Sequence, residues 1–165
     1  MILLNYLEEN ITQLYRSINL INSEQLNPEY IALKLNIYLY YWDEPSQAIF
    51  IHNRPHIFLN RLLSTQNQWE EFYHELAHIL LHIGDQMNMP KLLIEYQEYK
   101  ANNFSLHAAI PTSMLLQMDL PNNFYRAVAI IQKEFKVSTE FACKRLAHFL
   151  VNNPSYVSQK AMSVV

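Results

Sequence analysis

Between Ile2 and Ile21 apolar side chains return every three or four residues, at Leu4, Leu7, Ile11, Leu14, Tyr15, Ile18 and Ile21. That period predicts a helix with one buried stripe. Asn27-Pro28 then reads as an N-cap followed by proline at the first helical position, opening a short helix that runs to about Leu35. Beyond it the pattern changes. Residues 37–42, 48–52 and 56–60 are rich in aromatic and β-branched side chains, separated by Asp43-Glu44-Pro45-Ser46 and by Asn53-Arg54-Pro55. Such runs between turn formers predict a three-stranded antiparallel meander. In the first strand, Tyr38, Tyr40, Tyr41 and Trp42 suit one packed and one partly exposed face, or an exposed edge that holds a peptide.

The helical period then returns. Ser64 or Thr65 can cap a long helix from about Gln66 to Ile83, closed by Gly84 at the left-handed position that ends many helices. A second long helix is expected from Lys91 to Ala109, stopped by Pro111. Two or three more follow, among them Phe124 to Phe135 and a last helix capped by Ser138, whose inner face is Phe141, Ala142, Leu146, Phe149 and Leu150. The expected fold class is α+β: a mainly helical single domain over residues 1–153, with a small three-stranded antiparallel sheet beside the first long helix. Residues 154–165 are expected to form a flexible tail.

Composition narrows the chemistry. Half of the 165 residues are hydrophobic, enough for a core without cross-links. No basic segment followed by a long apolar run opens the chain, and no window reaches the roughly 18 to 20 apolar residues that a membrane span needs. The single cysteine, Cys143, cannot form an internal disulfide and suits a reducing compartment, so a soluble cytoplasmic protein is expected. Twelve basic against fifteen acidic residues give a net charge of −3, with the cations scattered, which argues against direct nucleic-acid binding. One glycine, Gly84, leaves no material for phosphate-cradling loops.

The chemistry lies in His74-Glu75-Leu76-Ala77-His78. Residues four apart on a helix project from the same side, so His74 and His78 can offer two imidazole nitrogens to one tetrahedral metal ion. Glu75, one position on, can act as the general base toward water. A third ligand is expected on the second long helix at Glu98, with the small Ala101 allowing close helix approach. Asn102 could hydrogen-bond the outer nitrogen of a ligand histidine. Glu95, one turn earlier, competes for the same role but lacks the small residue and amide at the following turn. His82 continues the face of the motif histidines and suits a helix-ending role. His107 could line the cleft or polarise a carbonyl; Tyr99, Tyr125 and Arg145 join it as candidates for oxyanion stabilisation. His52, His56 and His148 are assigned no role.

With these residues in view, the sequence resembles the ImmA/IrrE family of metallopeptidases. The likeness rests on His74 to His78 followed by Ile79-Leu80-Leu81-His82, on Glu98-Tyr99-Lys100-Ala101-Asn102-Asn103-Phe104, and on Ile110-Pro111. It extends to Ile57-Phe58-Leu59-Asn60 upstream and Phe135-Lys136-Val137-Ser138 downstream, covering roughly residues 27 to 150. Trp69-Glu70-Glu71-Phe72-Tyr73 lacks the Arg and Phe-Thr that often precede the motif, Ala77 stands where glycine is commoner, and Ser105 where alanine is usual. None of these touches a ligand position. The resemblance implies a zincin-like, gluzincin-like domain in which His74, His78 and Glu98 bind one Zn²⁺, with Mn²⁺ also admissible, and Glu75 is the base. It implies a protein substrate, a helix-turn-helix repressor of a phage or mobile element, with an extended segment expected to add to the strand ending near Asn60. A non-cleaving binding module and a hydrolase of non-peptide substrates are the rival readings.

Overall fold

A computed structural model describes residues 5–81, 89–154 and 156. Helix α1 (Tyr6–Ser17) is opened by a reciprocal cap: Asn5 accepts the Glu8 N–H, and Glu8 returns a bond to the Asn5 N–H. Ile11, Tyr15 and Ile18 form its buried stripe, whereas Ile21 lies past the helix and is exposed. Leu4 lies outside the described residues. Helix α2 (Pro28–Lys34) starts as expected, with the Asn27 side chain capping Tyr30 N–H.

The strands are β1 (Tyr38–Trp42), β2 (Gln47–Ile51) and β3 (Arg54–Asn60). The sheet is mixed rather than a meander: its order is β1-β3-β2, with β1 parallel and β2 antiparallel to β3. The meander expectation assumed that strands adjacent in sequence are adjacent in the sheet. Here residues 43–46 carry the chain across the end of β3 instead. Ser46 Oγ accepts the Asn60 N–H at 3.1 Å, and Arg61 grips Asp43 with two prongs, pinning that crossing. The central place falls to the strand with the most apolar inner face, since Ile57 and Leu59 are fully buried. The β2–β3 turn is His52–Asn53, both at positive φ, so β3 begins at Arg54 rather than at His56.

Helix α3 (Thr65–Leu80) is capped by Ser64 and packs on β2, β3 and helix α4 (Lys91–Ala109). It ends at Leu80 with Leu81 as its C-cap; the ending assigned to Gly84 and the role assigned to His82 lie outside the described residues. Short α5 (Thr112–Leu115), α6 (Phe124–Phe135) and α7 (Thr139–Asn152) complete the molecule, with Asn123 and Ser138 as caps. Tyr15 Oη donates to Ala108 O and Tyr73 Oη to Leu26 O, tying α1 to α4 and α3 to the segment before α2. The tail expectation falls largely on residues outside the described set. No helix among the described residues is long and apolar enough to cross a membrane.

Candidate metal centre

The site is assembled by two helices. On α3, His74 and His78 stand one turn apart with ring centroids at 4.8 Å. On α4, Glu98 closes against both: His74 Nε2 lies 3.2 Å and His78 Nε2 3.6 Å from its carboxylate oxygens, and the two Nε2 atoms are 3.0 Å apart. Among the described residues these three form a group able to hold a metal ion. A tetrahedral zinc ion with bonds of about 2.0–2.1 Å would set its ligand atoms about 3.3–3.4 Å apart. The 3.0 Å between the two imidazole nitrogens, and the 3.2 and 3.6 Å from them to the two separate Glu98 oxygens, lie near that spacing, and two imidazoles with one carboxylate match the zinc donor set of a site that keeps a fourth position for water. Glu95 does not share the cluster; it pairs with Lys91 one turn back.

Two details orient the ligands. Asn102 Oδ1 lies 3.2 Å from His74 Nδ1, so an Nδ1–H would donate to it and leave Nε2 to face a cation. Ser105 Oγ donates to the Asn102 carbonyl at 2.9 Å, so the departure at Ser105 adds a bond next to this residue. His78 is pushed below its ordinary value by burial, with His74 reinforcing and Glu98 opposing the shift, which favours the neutral imidazole a cation needs. Ala101 and Ala77 are fully buried, which lets α3 and α4 run close at this level.

Glu75 is 7 % exposed and sits on the inner side of the motif helix. Burial pushes its carboxyl up to about 7, with Glu71 adding to the shift, a hydrogen bond from the Ala48 backbone N–H opposing it, and Glu98 adding again. The Ala48 contact brings strand β2 to the edge of the site. A main-chain donor leaves no trace in a sequence; Glu71, one turn before Glu75, could have been found from helical spacing alone.

The remaining candidates disperse. His107 follows Glu98 by two and a half turns and so faces the opposite side of α4. There it is 3 % exposed, with Nδ1 3.4 Å from Glu8 Oε1. Fully buried Arg145 donates through Nη2 to Thr112 Oγ1 at 2.6 Å and through Nε to Ile110 O at 2.9 Å. Thr112 in turn donates to Glu8. His107 and Arg145 therefore belong to a buried network joining α1, α4, α5 and α7, not to an oxyanion site. Tyr99 and Tyr125 are 68 % and 78 % exposed. His56 stacks on Tyr38 at 4.8 Å and Tyr40 on Phe58 at 5.0 Å, forming an aromatic ladder on the sheet face away from α3. His148 lies edge-on to His107.

The peptidase-family model described as the IrrE N-terminal-like domain matches residues 24–147. The chain is 40 % identical over 146 residues to the phage-like element PBSX protein XkdA of Bacillus subtilis (strain 168), covering 88 % of this chain and 74 % of that protein. It is 37 % identical over 143 residues to the uncharacterized protein YqaB of the same organism, covering 87 % of this chain and 83 % of that one.

Proposed function

We propose, from the premise that the chain belongs to the family of IrrE N-terminal-like peptidase domains, that it is a zinc-dependent endopeptidase. The observation that carries this reading is the convergence of His74, His78 and Glu98 from two helices, with Glu75 beside them. Bound there, the cation would polarise a scissile carbonyl and make water more acidic. His74, His78 and Glu98 hold it, and Asn102 fixes the His74 ring. Glu75 takes a proton from the attacking water as its oxygen bonds to the carbonyl carbon, and returns it to the departing amine as the carbon–nitrogen bond breaks. The sheet edge along the site serves to lay out an extended substrate. The strand ending at Asn60 was the expected docking edge, but β3 is paired on both sides, so that role passes to the outer edge of β2.

The substrate we infer is a cytoplasmic helix-turn-helix repressor encoded beside this chain on a phage-like element. Two things support it: the likeness to a protein of a phage-like element and the scattered cations, which provide no surface for DNA. Narrow targeting is needed because an unrestricted cytoplasmic protease would damage its host. Incubation with that repressor, followed by intact-mass spectrometry, is expected to give one metal-dependent cut. Glu75→Gln keeps shape and metal but cannot take the proton, and should lower the rate by about 10²- to 10⁴-fold. Undiminished cleavage by Glu75→Gln removes the base from the mechanism; an uncut repressor beside cleaved unrelated peptides removes the substrate.

A further inference from the structure

The register of the β2–β3 hairpin fixes which way strand β2 faces. In an antiparallel pair, alternate residues turn both backbone groups toward the partner strand and away from it. Ile51 and Arg54 close the two-residue turn, so Ile49 with His56 and Gln47 with Phe58 are the pairs bonded to β3. Ala48 and Phe50 then turn their backbones outward. Two observations agree: the Ala48 N–H reaches Glu75, and Phe50 stands opposite Pro55, which has no N–H to give. The outer edge of β2 therefore borders the cleft.

Side chains two apart on a strand share a face, so Phe50 looks to the same side as Ala48, the side where Ile57 and Leu59 are buried against the interior. Phe50 nevertheless is 50 % exposed, about 6.6 Å along the strand from the contact with Glu75. Its register partner is Pro55, and Ile57 lies two residues further along β3 on the same face. The surface offered there is apolar, next to a site lined by Glu71, Glu75 and Glu98.

We propose that Phe50 determines specificity: it takes an apolar side chain of an extended peptide laid along β2, two residues from the peptide residue beside Glu75. The assignment rests on the peptidase reading of the site. A leucine or phenylalanine at that peptide position covers the exposed half of the ring, removing apolar surface of both partners from water. An aspartate there would lose water without gaining a donor and would meet the carboxylates of the cleft.

The test separates binding from cleavage. Fluorescein-labelled nonapeptides of alanine, serine and threonine carry a single Leu, Phe, Asp or Lys, moved through each position in turn. Their affinity for the zinc-loaded Glu75→Gln protein is read by anisotropy. One peptide position is expected to favour Leu or Phe over Asp by about tenfold or more. That preference should fall to within about twofold in Phe50→Ala, persist in Phe50→Leu, and turn toward Asp in Phe50→Lys. A preference untouched by Phe50→Ala and Phe50→Lys, or no discrimination at any position, overturns the assignment. The same peptides are offered to protein with Glu75 intact. Binding that depends on Phe50 without any cleavage overturns the peptidase reading and leaves the subsite standing, whereas cleavage indifferent to Phe50 does the reverse.

Discussion

His74→Ala, His78→Ala and Glu98→Ala are each expected to reduce bound zinc from about one ion per chain to a trace after dialysis. Each removes one of three donor side chains whose contacts of 3.0, 3.2 and 3.6 Å lie near the spacing of a tetrahedral ion's ligands. Two donors and water cannot hold the ion with comparable strength. Asn102→Ala provides the graded comparison: it leaves all three donors but frees the His74 ring, and should weaken binding about 10- to 100-fold. Glu95→Ala, whose carboxylate pairs with Lys91, should change nothing measurable. Competition with a chromophoric chelator gives the affinities and elemental analysis the stoichiometry. Full occupancy in both histidine variants would remove the site, and a larger loss in Glu95→Ala than in Glu98→Ala would transfer the third ligand.

The largest effect on stability is expected at Glu8, away from the candidate metal site. Its carboxylate is 6 % exposed and accepts bonds from Asn5 N–H and Thr112 Oγ1, with His107 Nδ1 at 3.4 Å. Arg145, also buried, reaches the same Thr112 hydroxyl. Glu8→Ala leaves the arginine without a facing carboxylate and strips α1 of half its cap. Breaking a buried charged network in this way costs about 3–5 kcal/mol, or roughly 10 °C in Tm for a chain of this size. Burial pushes the Glu8 carboxyl up, but His107, Thr112 and the Asn5 N–H outweigh it and hold the group down to about 2. A folded value below the unfolded one of 4.5 means a contribution that is complete above 4.5 and is lost as the pH falls toward 2. Urea titrations in chelator across that window should show the slope in the wild type and its absence in Glu8→Gln. Parallel pH profiles for the two proteins would refute the assignment.

Helix boundaries and caps were the most legible part of the sequence. Asn27, Ser64 and Ser138 each cap the helix expected of them, and Lys91–Ala109 is followed by Pro111 as its stop; the Asn123 cap of α6 was not read from the sequence. The clustering of His74, His78 and Glu98 was legible because helical spacing is rigid: a turn separates His74 from His78, and a turn separates Glu98 from Asn102. Strand order was not legible, since β-branched runs state that a strand exists and nothing about its neighbour. The partners of His107 and Arg145 were hidden for a related reason. His107 meets Glu8 directly and Arg145 reaches it through Thr112, across most of the chain, and helix periodicity is silent on which faces finally meet. The donor to Glu75 was hidden more deeply, because it is a main-chain N–H that any residue at position 48 except proline would supply.

The mixed sheet also sets an order of events in time. Strands β2 and β3 meet across a two-residue turn, the kind of contact that closes in about 1–10 μs, whereas β1 must find β3 in parallel register from beyond the intervening hairpin. The hairpin is therefore expected to be native-like in the folding transition state and β1 to dock after it. Kinetically, Ile57→Ala should slow refolding while Leu39→Ala mainly speeds unfolding, and the opposite partition in chevron plots would reverse the order. The strand that borders the candidate metal site is then in place before the far edge of the sheet has closed.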